Sequence, residues 1–160
     1  MSESEIDRGV FRTVLGHFAS GVAVVAGRDG GTPLGFTCQS FFSLSLDPPL
    51  VAIAPSRAST SWPRMVPSGS FTVSVLAEDQ EALARVFATS GGDKFAGIGW
   101  SAGRTGAPRI HDCLAWVDCH IEAIHEGGDH LVVVGRVVDL EVGGGVPLLF
   151  YRGGFGGFRS

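Results

Sequence analysis

Ala115-Trp116-Val117-Asp118-Cys119-His120-Ile121-Glu122-Ala123-Ile124-His125-Glu126-Gly127-Gly128-Asp129-His130-Leu131-Val132-Val133-Val134-Gly135-Arg136-Val137-Val138-Asp139-Leu140-Glu141-Val142 reads as a long hairpin. Val117, Cys119 and Ile121 alternate with Asp118, His120 and Glu122, the two-residue period that sends successive side chains to opposite faces of a strand. From His130 onward the chain is very apolar and rich in β-branched valine, which suits a pleated surface. Glu126-Gly127-Gly128-Asp129 supplies turn chemistry between the two halves. Two strands, Ala115 to His125 and His130 to Val142, are therefore expected side by side.

Toward the C-terminus, Pro147 to Tyr151 adds another strand, with the glycine-rich tail from Gly153 expected in irregular contact with it. Toward the N-terminus, a long aperiodic loop is expected up to Asp112, preceded by a helix over Glu78 to Ala88 that is closed by Gly91-Gly92. Phe71 to Leu76 and Leu50 to Ala54 are short strands, and Ser59 to Val66 has room for one or two helical turns. Val22 to Val25 and a stretch beginning at Leu34 form another hairpin around Arg28-Asp29-Gly30-Gly31. Ile6, Val10, Val14 and Phe18 recur every fourth residue in an amphipathic lead-in helix over about 4–20, started by Ser4 with Asp7 and ended by Gly21. Strands joined by hairpins, with isolated helices and no regular strand-helix alternation, give a mainly β fold. The expectation is a closed antiparallel barrel of about six strands with peripheral helices, and residues 1–160 as a single domain.

Charged residues make up 18% of the chain and 44% are hydrophobic, yet no apolar run approaches the ~20 residues that cross a bilayer. The excess apolar surface implies burial between subunits, and so a homodimer. A formal charge of -4 without a basic cluster argues against a nucleic-acid partner, and no membrane partner is expected. Cys38, Cys113 and Cys119 make an odd count without paired spacing, and Met1 to Asp7 is acidic, which points to a reducing cytoplasm without a targeting signal.

Chemistry concentrates in Gly35-Phe36-Thr37-Cys38-Gln39-Ser40-Phe41-Phe42-Ser43-Leu44-Ser45-Leu46-Asp47-Pro48-Pro49. Thr37, Gln39, Ser43 and Ser45 alternate with apolar neighbours, so an extended chain aims a row of neutral hydrogen-bonding groups one way. Such a row suits a heterocycle edge, with Phe41 and Phe42 flanking the ring; it equally suits the solvent side of an ordinary strand. Pro55-Ser56-Arg57-Ala58-Ser59-Thr60-Ser61-Trp62 places hydroxyls and a cation at a helix start, attractive to phosphate, although Ser59 or Thr60 as a plain N-cap explains it too. Lys94, in Asp93-Lys94-Phe95, offers a second cation or is merely a surface lysine. His130 is not needed for the Gly128-Asp129 turn and is a candidate for contact with a dinucleotide or for a structural role.

Gly97-Ile98-Gly99-Trp100-Ser101-Ala102 matches G-x-G-x-x-A but follows no strand and opens no helix, so a Rossmann site is rejected. His111, Cys113, Cys119, His120, His125 and His130 suggest a metal cluster, but adjacent Cys119 and His120 point to opposite faces of a strand, and no metal is expected.

Gly16-His17-Phe18-Ala19-Ser20-Gly21-Val22, Gly35-Phe36-Thr37 through Pro49, Asp93-Lys94-Phe95, Gly128-Asp129-His130 and Pro147-Leu148-Leu149-Phe150-Tyr151, in that order and spacing, resemble the short-chain flavin reductases. These have an FMN-binding split β-barrel of Greek-key type and include the reductase components of two-component flavin-dependent monooxygenases. The resemblance implies a homodimer with a six-stranded antiparallel barrel and flavin near the subunit interface. It implies that Thr37, Cys38, Gln39, Ser40, Ser43 and Ser45 contact the isoalloxazine and ribityl chain, and that Ser56, Arg57, Ser59, Thr60, Lys94 and Phe95 form the phosphate region. Asp129 and His130 would meet the nicotinamide dinucleotide. Gln39 stands where relatives often carry Asn, Ala or Ser, and Lys94 where many carry Arg, which leaves FMN and FAD both open.

The activity implied is NAD(P)H:flavin oxidoreduction, NADH preferred, with reduced FMN or FAD supplied to a separate oxygenase. No catalytic acid or base is assigned, since the two cofactor rings supply the redox chemistry and the protein positions them. The competing readings are a non-catalytic flavin-binding module on the same barrel and, fitting the quoted motifs less well, an oxidase of phosphorylated pyridoxine compounds.

Overall fold

The computed structural model describes residues 5–160. Its elements in chain order are helix α1 (Arg8–Leu15), strands β1 (Ser20–Gly21), β2 (Ala23–Asp29), β3 (Thr32–Cys38), β4 (Phe42–Ser45) and β5 (Leu50–Ile53), helix α2 (Trp62–Met65), strand β6 (Ser70–Val75), helix α3 (Glu81–Ala88), and strands β7 (Trp100–Ala102), β8 (Pro108–Ile110), β9 (Ala115–Gly127), β10 (His130–Val142), β11 (Leu148–Tyr151) and β12 (Gly154–Gly157). Short 3-10 turns extend α2 at Val66–Ser68 and precede α3 at Glu78–Gln80.

The protein is mainly β. Seven strands form one antiparallel sheet in the order β3-β2-β6-β9-β10-β5-β4, one more than the sequence suggests. Its two edge strands, β3 and β4, are consecutive in the chain and joined only by Gln39, Ser40 and Phe41. Laid flat, strands spaced ~4.8 Å apart would hold the edges ~29 Å from each other, whereas that link reaches ~15 Å at most. The sheet therefore curls until its edges approach at one end. Ser40 pins the link there, its hydroxyl accepting from Ala54 N at 3.1 Å and donating to Ala54 O at 3.2 Å.

Strand β2 is buried on both faces, and its side-chain alternation divides the core. Ala23 and Val25 join Ile53, Phe71, Val73, Cys119 and Val133 on the concave side, which Trp62 and Met65 of α2 close. Val22, Val24 and Ala26 join Leu76, Ala84, Phe87, Phe95, Ile110 and Leu148 on the convex side, beneath α3. Gly135 of β10 makes the concave packing possible: a Cβ there would lie 2.7 Å from the Phe71 ring and 3.1 Å from Cys119 Cβ.

The long hairpin, the Val22–Val25 hairpin, both short strands, the turns after Ser59 and the helix before Gly91 all appear where the periodicity places them. Other boundaries differ. Helix α1 starts later than expected, with Asp7 Oδ1 accepting from Val10 N at 2.9 Å, and it ends at Gly16 rather than Gly21. Ser4 lies outside the described residues. The loop before Asp112 contains the small hairpin β7–β8, and the glycine-rich tail is a regular strand, β12, paired with β11 in a separate sheet with β1. Three-residue strands and glycine strands have too little side-chain periodicity to be seen without their partners. No described helix is long and apolar enough to cross a membrane.

Candidate functional site

Where the curled sheet's edges meet, a cavity of about 510 Å³ opens. Strand β3 delivers Thr37 and Cys38 to it, the β3–β4 link delivers Gln39 and Ser40, and the segment after β5 delivers Ser56, Ser59 and Thr60. The end of α3 contributes Phe87 to Ser90, the following loop contributes Lys94, and the tip of the β9–β10 hairpin contributes His130. Residues expected to act together from four separate stretches of sequence thus line one cavity.

Several of these groups are already engaged. The Thr37 hydroxyl donates to Ala84 O at 2.5 Å, locking β3 to α3 and leaving its oxygen lone pairs toward other donors. The Cys38 thiol lies 3.4 Å from Ser40 Oγ, and burial pushes its pKa up. Ser56 Oγ accepts from Ala58 N at 3.1 Å and Ser59 Oγ from Trp62 N at 3.1 Å. Neither Ser59 nor Thr60 is the N-cap of α2, which is Ser61 and makes no side-chain cap bond; Ser59 instead accepts from the first helical N–H from two residues before the cap, and it also lines the cavity.

Lys94 is the chain's single lysine. Its ammonium donates to Gly35 O at 3.2 Å and Phe87 O at 3.3 Å, and burial lowers its pKa. It stands at the junction with a second cavity of about 590 Å³, bounded by Thr32 to Gly35, Arg64 and the Ser90–Phe95 loop. Gly35 is required at this crowded point, because a Cβ would sit 2.9 Å from Val25 O and 3.1 Å from the Phe87 ring. His130 Nδ1 pairs with Asp129 Oδ1 at 2.8 Å, and that bond holds the Asp129 carboxyl below its usual pKa.

Other expected site residues lie elsewhere. Ser43 and Ser45 sit on β4, away from the cavity lining. Phe41 and Phe42 line a neighbouring, mostly apolar hollow of about 550 Å³ with Phe18; it shares Cys38, Gln39 and Ser40 with the first cavity. Phe95 is a core residue, edge-on to Phe87 at 5.0 Å and Trp100 at 6.0 Å, and it faces the second cavity. Asp129 reaches the cavity only through His130. Arg57 turns away, its guanidinium held by Gly128 O and Glu126 at the hairpin tip. Sequence reasoning missed Thr89 and Ser90 on the rim, whose hydroxyls between a helix end and Gly91-Gly92 were the available signal.

A flat heterocycle with a polar edge and an anionic tail fits this arrangement. The Thr37–Ser40 wall supplies donors and acceptors, the adjoining hollow an apolar face, and Lys94 with the Ser56–Thr60 hydroxyls an anion-binding end.

Residues 15–159 match the protein family described as flavin reductase like domain. The chain is 48% identical over 155 residues to the reductase subunit HsaB of a flavin-dependent monooxygenase from Rhodococcus jostii, covering 96% of this chain and 80% of that protein. Among solved structures, nitrilotriacetate monooxygenase component B from Mycobacterium thermoresistibile superposes with a TM-score of 0.93 at 44% identity, over 96% of this chain and 87% of the other. An NADH:FAD oxidoreductase of Streptomyces globisporus, SgcE6, solved with NAD and FAD fragments, superposes with a TM-score of 0.90 at 37% identity over 98% of both chains.

Proposed function

The chain belongs to the flavin reductase like domain family, and from this we propose that it is the reductase of a two-component flavin-dependent monooxygenase, oxidising NAD(P)H, with NADH preferred, reducing FMN or FAD, and passing the reduced flavin to a separate oxygenase. The observation that carries this reading is the convergence of Thr37–Ser40, Ser56–Thr60, Lys94 and His130 on one cavity.

When bound there, flavin and dihydronicotinamide supply the hydride transfer themselves. The protein's part is to orient and to exclude water. In this reading the Thr37–Ser40 wall receives the edge of the isoalloxazine, and Lys94 holds the flavin phosphate with Ser56, Ser59 and Thr60. His130, its Nδ1 oriented by Asp129, contacts the dinucleotide at the cavity mouth. Backbone donors and polar groups near the ring stabilise the negative charge that reduction adds. No side chain has to exchange a proton with substrate.

We read the curled sheet as the split barrel expected from the resemblance, its six-stranded body made by β3, β2, β6, β9, β10 and β5 with β4 as a short rim. We also read residues 1–160 as one domain that works as a homodimer in the cytoplasm, where its free thiols Cys38, Cys113 and Cys119 stay reduced. Steady-state oxidation of NADH and NADPH with added FMN or FAD tests the activity; rates no higher than the uncatalysed reaction with every pair would refute it. Anaerobic stopped-flow mixing with NADH tests the delivery step, because reduced flavin should appear free in solution.

A further inference from the structure

Resting on this reading of the site, we infer that Arg57 is a positioning residue: it clasps the β9–β10 hairpin tip to the flavin-phosphate loop and so holds His130 at the cavity mouth. The clasp has several strands of support. Arg57 Nε donates to Gly128 O at 2.8 Å, while Arg57 N donates to Asp129 O at 2.9 Å. A bridge pairs Ser56 with His130, and Leu131 N donates to Pro55 O at 2.9 Å. Glu126 adds an ion pair to the same guanidinium, but its side chain is 81% exposed, so water and salt weaken that partner. The directional hold is the bond to the Gly128 carbonyl, a fixed acceptor in a glycine turn with φ of +72°. Ser56 and Ser59, at the first cavity, flank Arg57 in sequence. The Arg57 side chain thereby reinforces a backbone tie between the loop assigned to flavin phosphate and the turn assigned to the dinucleotide, without touching either ligand.

The clasp sets how often His130 is in place, so its loss acts on NADH and not on flavin. Arg57→Ala should raise KM for NADH about tenfold, as expected for losing a charge-assisted hydrogen bond. The kcat at saturating NADH and the flavin Kd from fluorescence quenching should each stay within about twofold. Arg57→Lys, which still reaches a carbonyl, should recover most of the loss. In a His130→Ala background, Arg57→Ala should add almost nothing, because it acts through the residue already removed. Additive losses in that cycle, or a weakened flavin Kd in Arg57→Ala, would overturn the inference, the latter returning Arg57 to the phosphate. Arg57→Ala with unchanged KM would overturn it as well. Failure of the functional reading looks different: the unmodified protein would then bind flavin and oxidise neither nucleotide.

Discussion

Lys94 carries two opposed dependences on pH, and they can be separated. Its folded pKa is depressed by burial, so the folded state binds fewer protons than the unfolded one, and ligand-free stability rises with pH between the depressed value and the ordinary lysine value of 10.5. Phosphate needs the ammonium, so FMN affinity should fall over the same window while riboflavin, lacking phosphate, shows no such fall. Lys94→Met should weaken FMN at least tenfold at neutral pH, leave riboflavin within about twofold and flatten the alkaline limb, all readable by fluorescence titration. Equal losses for both ligands would place Lys94 away from the phosphate. His130→Ala, by contrast, should raise KM for NADH at least about tenfold with flavin Kd unchanged, the former measured in the steady-state assay and the latter by fluorescence quenching. Legibility in sequence differs sharply between these residues. The hydroxyls of Ser56, Ser59 and Thr60 announce themselves by composition, and Lys94 by its place in Asp93-Lys94-Phe95. Arg57 looks the same as a phosphate ligand until the chain is folded, because the carbonyl that engages it is 71 residues away.

At the scale of elements, the β9–β10 hairpin is what both sequence and structure make plainest, and its weak point is a glycine rather than its tip. Register shifts occur between Val134 and Gly135 and between Val137 and Asp139, and Gly135 is where the Phe71 ring presses against β10. Gly135→Ala should therefore destabilise the protein by about 1–3 kcal/mol through overpacking, with the urea midpoint falling and the slope unchanged. An unchanged midpoint would mean that Phe71 has room to move. The alternation of Val117 to Glu122 is visible without partners because its apolar side chains all fall on one face, even though Asp118 on the other face is buried too, where Thr105 N and Oγ1 donate to its carboxylate. Strands β7, β8 and β12 carry no such record. Trp100–Ala102, Pro108–Ile110 and Gly154–Gly157 are strands because a neighbour pairs with them, and that pairing is a tertiary fact. The cavity shares this character: each of its walls is local, whereas their meeting depends on the curl of the whole sheet.

For the molecule as a whole, the unfinished surface is the argument. Helix α1 has a strongly apolar side, yet none of its residues is buried; Val10, Phe11, Val14 and Leu15 are all exposed, as are Ile6 before it and Phe18 after it, the last at 84%. Phe18 and Phe42 line the same apolar hollow, which brings β4 with its exposed Leu44, and Leu46 just beyond at 94%, next to the end of the helix. A monomer rarely leaves an apolar patch beyond a few hundred Å² open to water, while a stable dimer buries about 800 Å² per partner. The proposed homodimer, a second copy of this chain seated on that face, would resolve the excess. The same hollow shares Cys38, Gln39 and Ser40 with the flavin cavity, so the partner would also finish the wall beside the ring. Sedimentation at micromolar concentration should give twice the 16.7 kDa chain mass. Val14→Glu with Phe18→Glu, which would put two carboxylates into the proposed apolar contact, should shift the mass to one chain and lower kcat/KM for flavin at least tenfold, while circular dichroism retains the β signature. A fully active monomer, in either the unmodified protein or this variant, would detach the apolar face from the site and leave the hollow as mere surface.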